Sequence, residues 1–103
     1  MKYLITESQR EKVIFKYLNN QDFIQIDKGE RIYFANSEND EDAQIKYDNG
    51  DGSCLINMDL VSEIHKFFSL TWEETEEFIT IWVSNTLNRE VSKTNVYATS
   101  RWF

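Results

Sequence analysis

All three glycines of this 103-residue chain fall between positions 29 and 52, and each stands where a turn is expected. Phe23-Ile24-Gln25-Ile26 and Arg31-Ile32-Tyr33-Phe34-Ala35 are short β-like runs flanking Asp27-Lys28-Gly29-Glu30. This reads as a hairpin, with Gly29 free to take a positive φ. Gln44-Ile45-Lys46-Tyr47 and Cys54-Leu55-Ile56 flank Asp48-Asn49-Gly50-Asp51-Gly52-Ser53. Asn-Gly and Asp-Gly are strong turn dipeptides, so a second hairpin is expected. A polar acidic loop, residues 36–42, joins the two.

Helical signals lie on both sides of this block. Thr6-Glu7-Ser8-Gln9 fits a capping box, in which the Thr6 hydroxyl and the Gln9 side chain satisfy free backbone N–H groups. Val13, Ile14, Tyr17 and Leu18 follow at helical spacing. Asn19-Asn20 then reads as a stop, so the first helix should span 7–19. A second helix is expected from Asp59, as N-cap, to Phe68, with Leu60, Val61, Ile64, Phe67 and Phe68 as its apolar stripe. Thr71-Trp72-Glu73-Glu74 is a further capping box. It opens a third helix that buries Trp72, Phe78, Ile79, Trp82, Val83 and Leu87. A short C-terminal strand is weakly signalled near Asn95–Thr99. Grouped strands and grouped helices mean a single α+β domain, residues 1–103. Its expected order is an N-terminal helix, a four-stranded antiparallel meander of two hairpins, two C-terminal helices and this last short strand.

Charge narrows the partners. The formal net charge is −7. Residues 21–60 carry three basic and ten acidic side chains, which equals the whole imbalance. Such a chain repels phosphate backbones, so direct nucleic-acid binding is disfavoured and a cationic partner suits it better. No apolar run approaches the ~20 residues that cross a bilayer. The start of the chain does not read as a signal peptide, and the single cysteine, Cys54, has no internal disulfide partner. These features favour a cytoplasmic compartment.

The constellations that could carry chemistry are few. Asp48-Asn49-Gly50-Asp51-Gly52-Ser53 resembles a calcium loop. When Asp51-Gly52 takes positions 5 and 6, however, Tyr47 falls at 1 and Met58 at 12, so both required carboxylates are out of register. Glu73, Glu74, Glu76 and Glu77 are explained by the positive end of a helix dipole. Cys54 and His65 are the only cysteine and histidine. A nucleophile pair is conceivable, but Cys54 reads as a small core residue and His65 falls on the polar side of its helix. Two such ligands are too few for structural zinc. Phosphate loops and common catalytic motifs are lacking. No catalytic residue, metal or cofactor is therefore expected.

Two stretches carry a resemblance. Met1-Lys2-Tyr3-Leu4-Ile5-Thr6-Glu7-Ser8-Gln9 and Phe67-Phe68-Ser69-Leu70 through Trp82-Val83-Ser84-Asn85-Thr86-Leu87, with Val91-Ser92, resemble small uncharacterised proteins of marine bacteriophage and ocean metagenomic origin. The resemblance implies a viral origin and a host-cytoplasm setting, and it implies no activity or site residue.

The leading expectation is a non-enzymatic protein-interaction module, a phage accessory protein or a homo-oligomer. Its expected contact residues are Glu38, Asp40, Glu41, Asp42, Asp48 and Asp51, with Trp102 and Phe103 at the end of the chain. The alternative is an acidic nucleic-acid mimic that inhibits a nuclease or DNA-binding protein. A mimic requires carboxylates along one ridge. A small enzyme with an unrecognised site comes third, and it requires a pocket holding a perturbed acid or the Cys54/His65 pair.

Overall fold

A computed structural model describes residues 7–39 and 43–97. Thr6, the N-cap of the expected capping box, the loop carboxylates Asp40, Glu41 and Asp42, and the terminal Trp102 and Phe103 lie outside the described residues. The chain runs α1 (Glu7–Asn19), β1 (Ile24–Asp27), β2 (Arg31–Ala35), β3 (Ala43–Asp48), β4 (Ser53–Asn57), α2 (Met58–Phe67), α3 (Trp72–Leu87) and β5 (Lys93–Tyr97). The architecture is α+β, as the grouping of signals implies.

The five strands form one sheet in the order β1-β2-β3-β4-β5. The first four make the antiparallel meander. The C-terminal strand is present and pairs in parallel with β4. A parallel neighbour needs a long crossover, which residues 58–92 supply through α2 and α3. Gly29 (φ 81°) and Gly52 (φ 74°) adopt the left-handed turn conformation that favours glycine. A Cβ on Gly52 would also stand 3.2 Å from the Ser92 hydroxyl, where the start of β5 closes against the turn.

Alternation along the strands separates two faces. Ile32, Phe34, Ile45, Tyr47, Cys54 and Ile56 point inward and are buried. They pack with Ile14 and Leu18 of α1, Leu60, Val61 and Ile64 of α2, and Phe78, Ile79, Trp82 and Val83 of α3. All three helices therefore cover the same side of the sheet.

Local detail corrects three expectations. Val13 is 51% exposed, because the buried face of α1 is centred on the i,i+4 pair Ile14 and Leu18. Phe67 is 68% exposed and leaves the α2 stripe; its ring lies against Tyr17 and Phe68 at the surface, centroids 5.3 and 4.9 Å away. The N-cap of α2 is Asn57, not Asp59. Asn57 Oδ1 accepts the Asp59 N–H at 2.8 Å, so strand passes into helix with no intervening loop. Asp59 sits instead in the first turn, where the helix dipole favours a carboxylate. The α3 capping box forms as read: Thr71 Oγ1 accepts from the Glu74 N–H, and Glu74 Oε1 from the Thr71 N–H.

Candidate interaction surface

Cys54 is wholly buried in β4, and burial pushes its thiol up to about 12, so it is held as the weakly nucleophilic thiol. His65 is not simply on a polar side. It is half-buried, its ring lies 5.7 Å from Trp72, and its Nδ1 is enclosed without a hydrogen-bond partner. Neither residue lines the hollows beside β1, beside α2 or at the β1–β2 turn. Glu74 is committed to its cap and to an ion pair with Arg10 at 2.9 Å, and the Thr71 hydrogen bonds hold its carboxyl below its ordinary value. Among the described residues, no three His, Cys, Asp or Glu side chains group as metal ligands.

The turn carboxylates serve the backbone. Asp48 Oδ1 accepts the Gly50 N–H at 2.7 Å, and Asp51 Oδ1 accepts the Ser53 N–H at 2.9 Å. The Ser53 bonds hold the Asp51 carboxyl below its ordinary range. Asn49 ties this turn to the first hairpin through Glu30 O and Gly29 O, at 2.7 and 2.8 Å, and it accepts from Arg89. Asp48 and Asp51 thus stand at the β1–β2 turn end of the sheet. Glu38 follows β2 at the other end, five strand residues away. The meander splits these acids between two ends, which lends no support to a phosphate-like ridge.

The sheet offers a different surface, which a search for acidic and terminal aromatic residues missed. On the face away from the helices, the register places Ile26, Tyr33, Lys46, Leu55 and Asn95 in one row across all five strands. Ile24 and Tyr97 flank it, 39% and 38% exposed. Tyr33, Lys46 and Leu55 are half-buried. Among the described residues, no helix lies over this row. Partial burial, followed by the nearby Arg31 charge, holds the Lys46 amine below its ordinary value, while Asp48 acts in the opposite sense. The signal in the sequence was the parity of β1 and β4. Ile24, Ile26 and Leu55 alternate out of phase with Phe23, Cys54 and Ile56, so apolar residues occur on both faces.

The β1 edge adds a concave element. A cleft of about 280 Å³ opens between β1 and the ends of α1 and α3. Phe23, Phe34 and Trp82 form its floor, with ring centroids 5.1–6.5 Å apart in tilted, edge-on pairs. The Trp82 indole N–H donates to Asn19 Oδ1 at 3.0 Å, which fixes the ring against the end of α1. Asp22, with φ 54°, brings a carboxylate to the rim.

Comparison of the chain with protein-family models, curated proteins and solved structures found no match. Among the described residues, no helix is long and apolar enough to cross a membrane.

Proposed function

We propose that this protein is a non-enzymatic protein-interaction module that binds through the sheet face that none of the described helices covers. The carrying observation is the row Ile26-Tyr33-Lys46-Leu55-Asn95 with Ile24 and Tyr97 beside it. An apolar strip spanning several strands, with a single charge in it at Lys46, has the makeup of a protein contact. The net charge of −7 favours a protein over a nucleic acid as the occupant. The setting we assign to it is that of a phage accessory protein in a host cytoplasm, in line with the resemblance carried by its opening stretch and by Phe67–Leu87 with Val91-Ser92.

The test is affinity capture from a bacterial lysate, with each captured protein identified and re-bound in pure form. Leu55→Glu and Tyr33→Glu should abolish re-binding while circular dichroism and melting temperature stay close to the parent. Light scattering reports self-association in parallel. A strictly monomeric chain that captures nothing, or a partner that binds the variants as well as the parent, overturns the reading.

A further inference from the structure

We infer that the free edge of β1 and the aromatic cleft beside it accept an extended segment of a partner protein, one that alternates basic and apolar side chains and places a lysine or arginine in the cleft. This deepens the proposed interaction function and rests on it.

The backbone sets the first requirement. Among the described residues β1 pairs with β2 alone, and no strand lies along its other edge. The Lys28 N–H donates to Arg31 O at 2.8 Å, which makes 28 and 31 a hydrogen-bonded pair. Counting back along the antiparallel register, the pairs Ile26–Tyr33 and Ile24–Ala35 are also of the bonded kind. The N–H and C=O groups of Gln25 and Asp27 therefore point to the open edge. An extended backbone is the partner whose donors and acceptors repeat at that spacing.

Side chains set the second requirement. A strand added at this edge continues the pleat, so its residues alternate between the cleft and the open face. Gln25 lines the cleft, whereas Ile24 and Ile26 face the other way. On the open side, an apolar residue would meet Ile24 and Ile26. On the cleft side, the lining contains one carboxylate, Asp22, and neither an ammonium nor a guanidinium group. Aromatic rings beside a carboxylate suit a long cationic side chain, whose methylenes lie on the rings while its head reaches the acid. A volume of about 280 Å³ accommodates one such side chain.

Self-pairing of two β1 edges is the competing occupant. It would bring together two chains of formal charge −7 and set Asp22 and Asp27 of each copy along the same seam. Like charges oppose that contact, and the observations favour a basic partner segment.

The experiment titrates the ¹⁵N-labelled full chain with two synthetic hexapeptides, one alternating arginine and valine and one alternating glutamate and valine. Two variants are chosen to keep the fold. Gln25→Pro removes an edge-facing N–H, at a place where strands tolerate proline, together with one side chain of the cleft wall. Asp22→Asn removes the charge and retains a residue that tolerates positive φ. The arginine peptide should shift the Gln25, Asp27 and Trp82 indole N–H resonances. Its affinity should fall about tenfold in Gln25→Pro and about threefold in Asp22→Asn. Equal binding of both peptides, shifts confined to the open-face row, or a Gln25-dependent dimer by light scattering overturns the inference. A chain that ignores the peptides but captures a protein through Leu55 and Tyr33 loses this inference and keeps the proposed function.

Discussion

The two faces of the sheet are built from the same strands, often from adjacent residues, and they have opposite fates. On β4, Ile56 is wholly buried under the helices while Leu55, one residue earlier, is half-exposed on the open side. On β2, Phe34 packs edge-on against Trp82 while Tyr33 joins the uncovered row. The difference teaches that the apolar residues of a strand do two jobs. Those beneath the helices hold the domain together. Those on the other face go beyond what the core requires, and they carry the contact surface proposed above.

The largest expected effect separates these neighbours. Ile56→Ala should destabilise the fold by about 2–5 kcal/mol, through lost burial and a residual cavity. Leu55→Ala should cost less than about 1 kcal/mol, because water already reaches the site. Urea denaturation of the two variants measures both, and equal costs would break the distinction between the faces.

Alkaline titration sharpens it next. The Cys54 thiol has an ordinary value of 9.0 and is pushed up to about 12 by burial. The folded chain therefore holds a proton that the unfolded chain releases. This contribution to stability is complete below pH 9 and is lost as the pH rises toward about 12. Tyr17 behaves in the same way from 10 to about 12, first through desolvation and then through the hydrogen bond that its hydroxyl donates to Glu63. Lys46, on the open face, has a lowered value and contributes with the opposite sign. Cys54→Ala should flatten the stability profile between pH 9 and 10, where Tyr17 does not yet contribute. Denaturation midpoints at half-unit pH intervals read this directly.

A smaller effect tests the helical layer that decides which face is covered. Thr71→Ala removes the side-chain half of the α3 capping box and should cost about 1 kcal/mol. Melting temperature measures it, and binding through Leu55 and Tyr33 should be unchanged in the folded variant. The smallest effect is a gain. Ser69 holds φ 53° at the α2–α3 joint, so Ser69→Gly should stabilise by a few tenths of a kcal/mol as left-handed strain is relieved against added chain entropy. A loss of stability there would mean that the serine side chain supports the joint.

Much of the architecture was legible because local rules govern it. The end of α1 followed from the Asn19-Asn20 stop. The α3 cap followed from Thr71 and Glu74, and the hairpins from Gly29 and the Asp48–Ser53 turn. The N-cap of α2 was misplaced because Asn57 closes β4 and caps the helix at once, and Asp59 offered an equally good local signal. Val13 and Phe67 escaped a periodicity reading because the spacing of apolar residues does not say how far a helix rolls against its neighbours. The candidate surface was less legible still. Its residues are separated along the chain and become a row only when four strand registers align.

The sequence by itself determined the order and kind of the elements, the turns and the acidity of the middle segment. Each of these depends on contacts within a few residues or on composition alone. Only the tertiary structure decided that β5 returns parallel to β4, that all three helices choose one face, and that Glu38 stands at the opposite end of the sheet from Asp48 and Asp51. Those outcomes depend on which surfaces meet across long stretches of chain, where burial summed over many side chains outweighs any local preference.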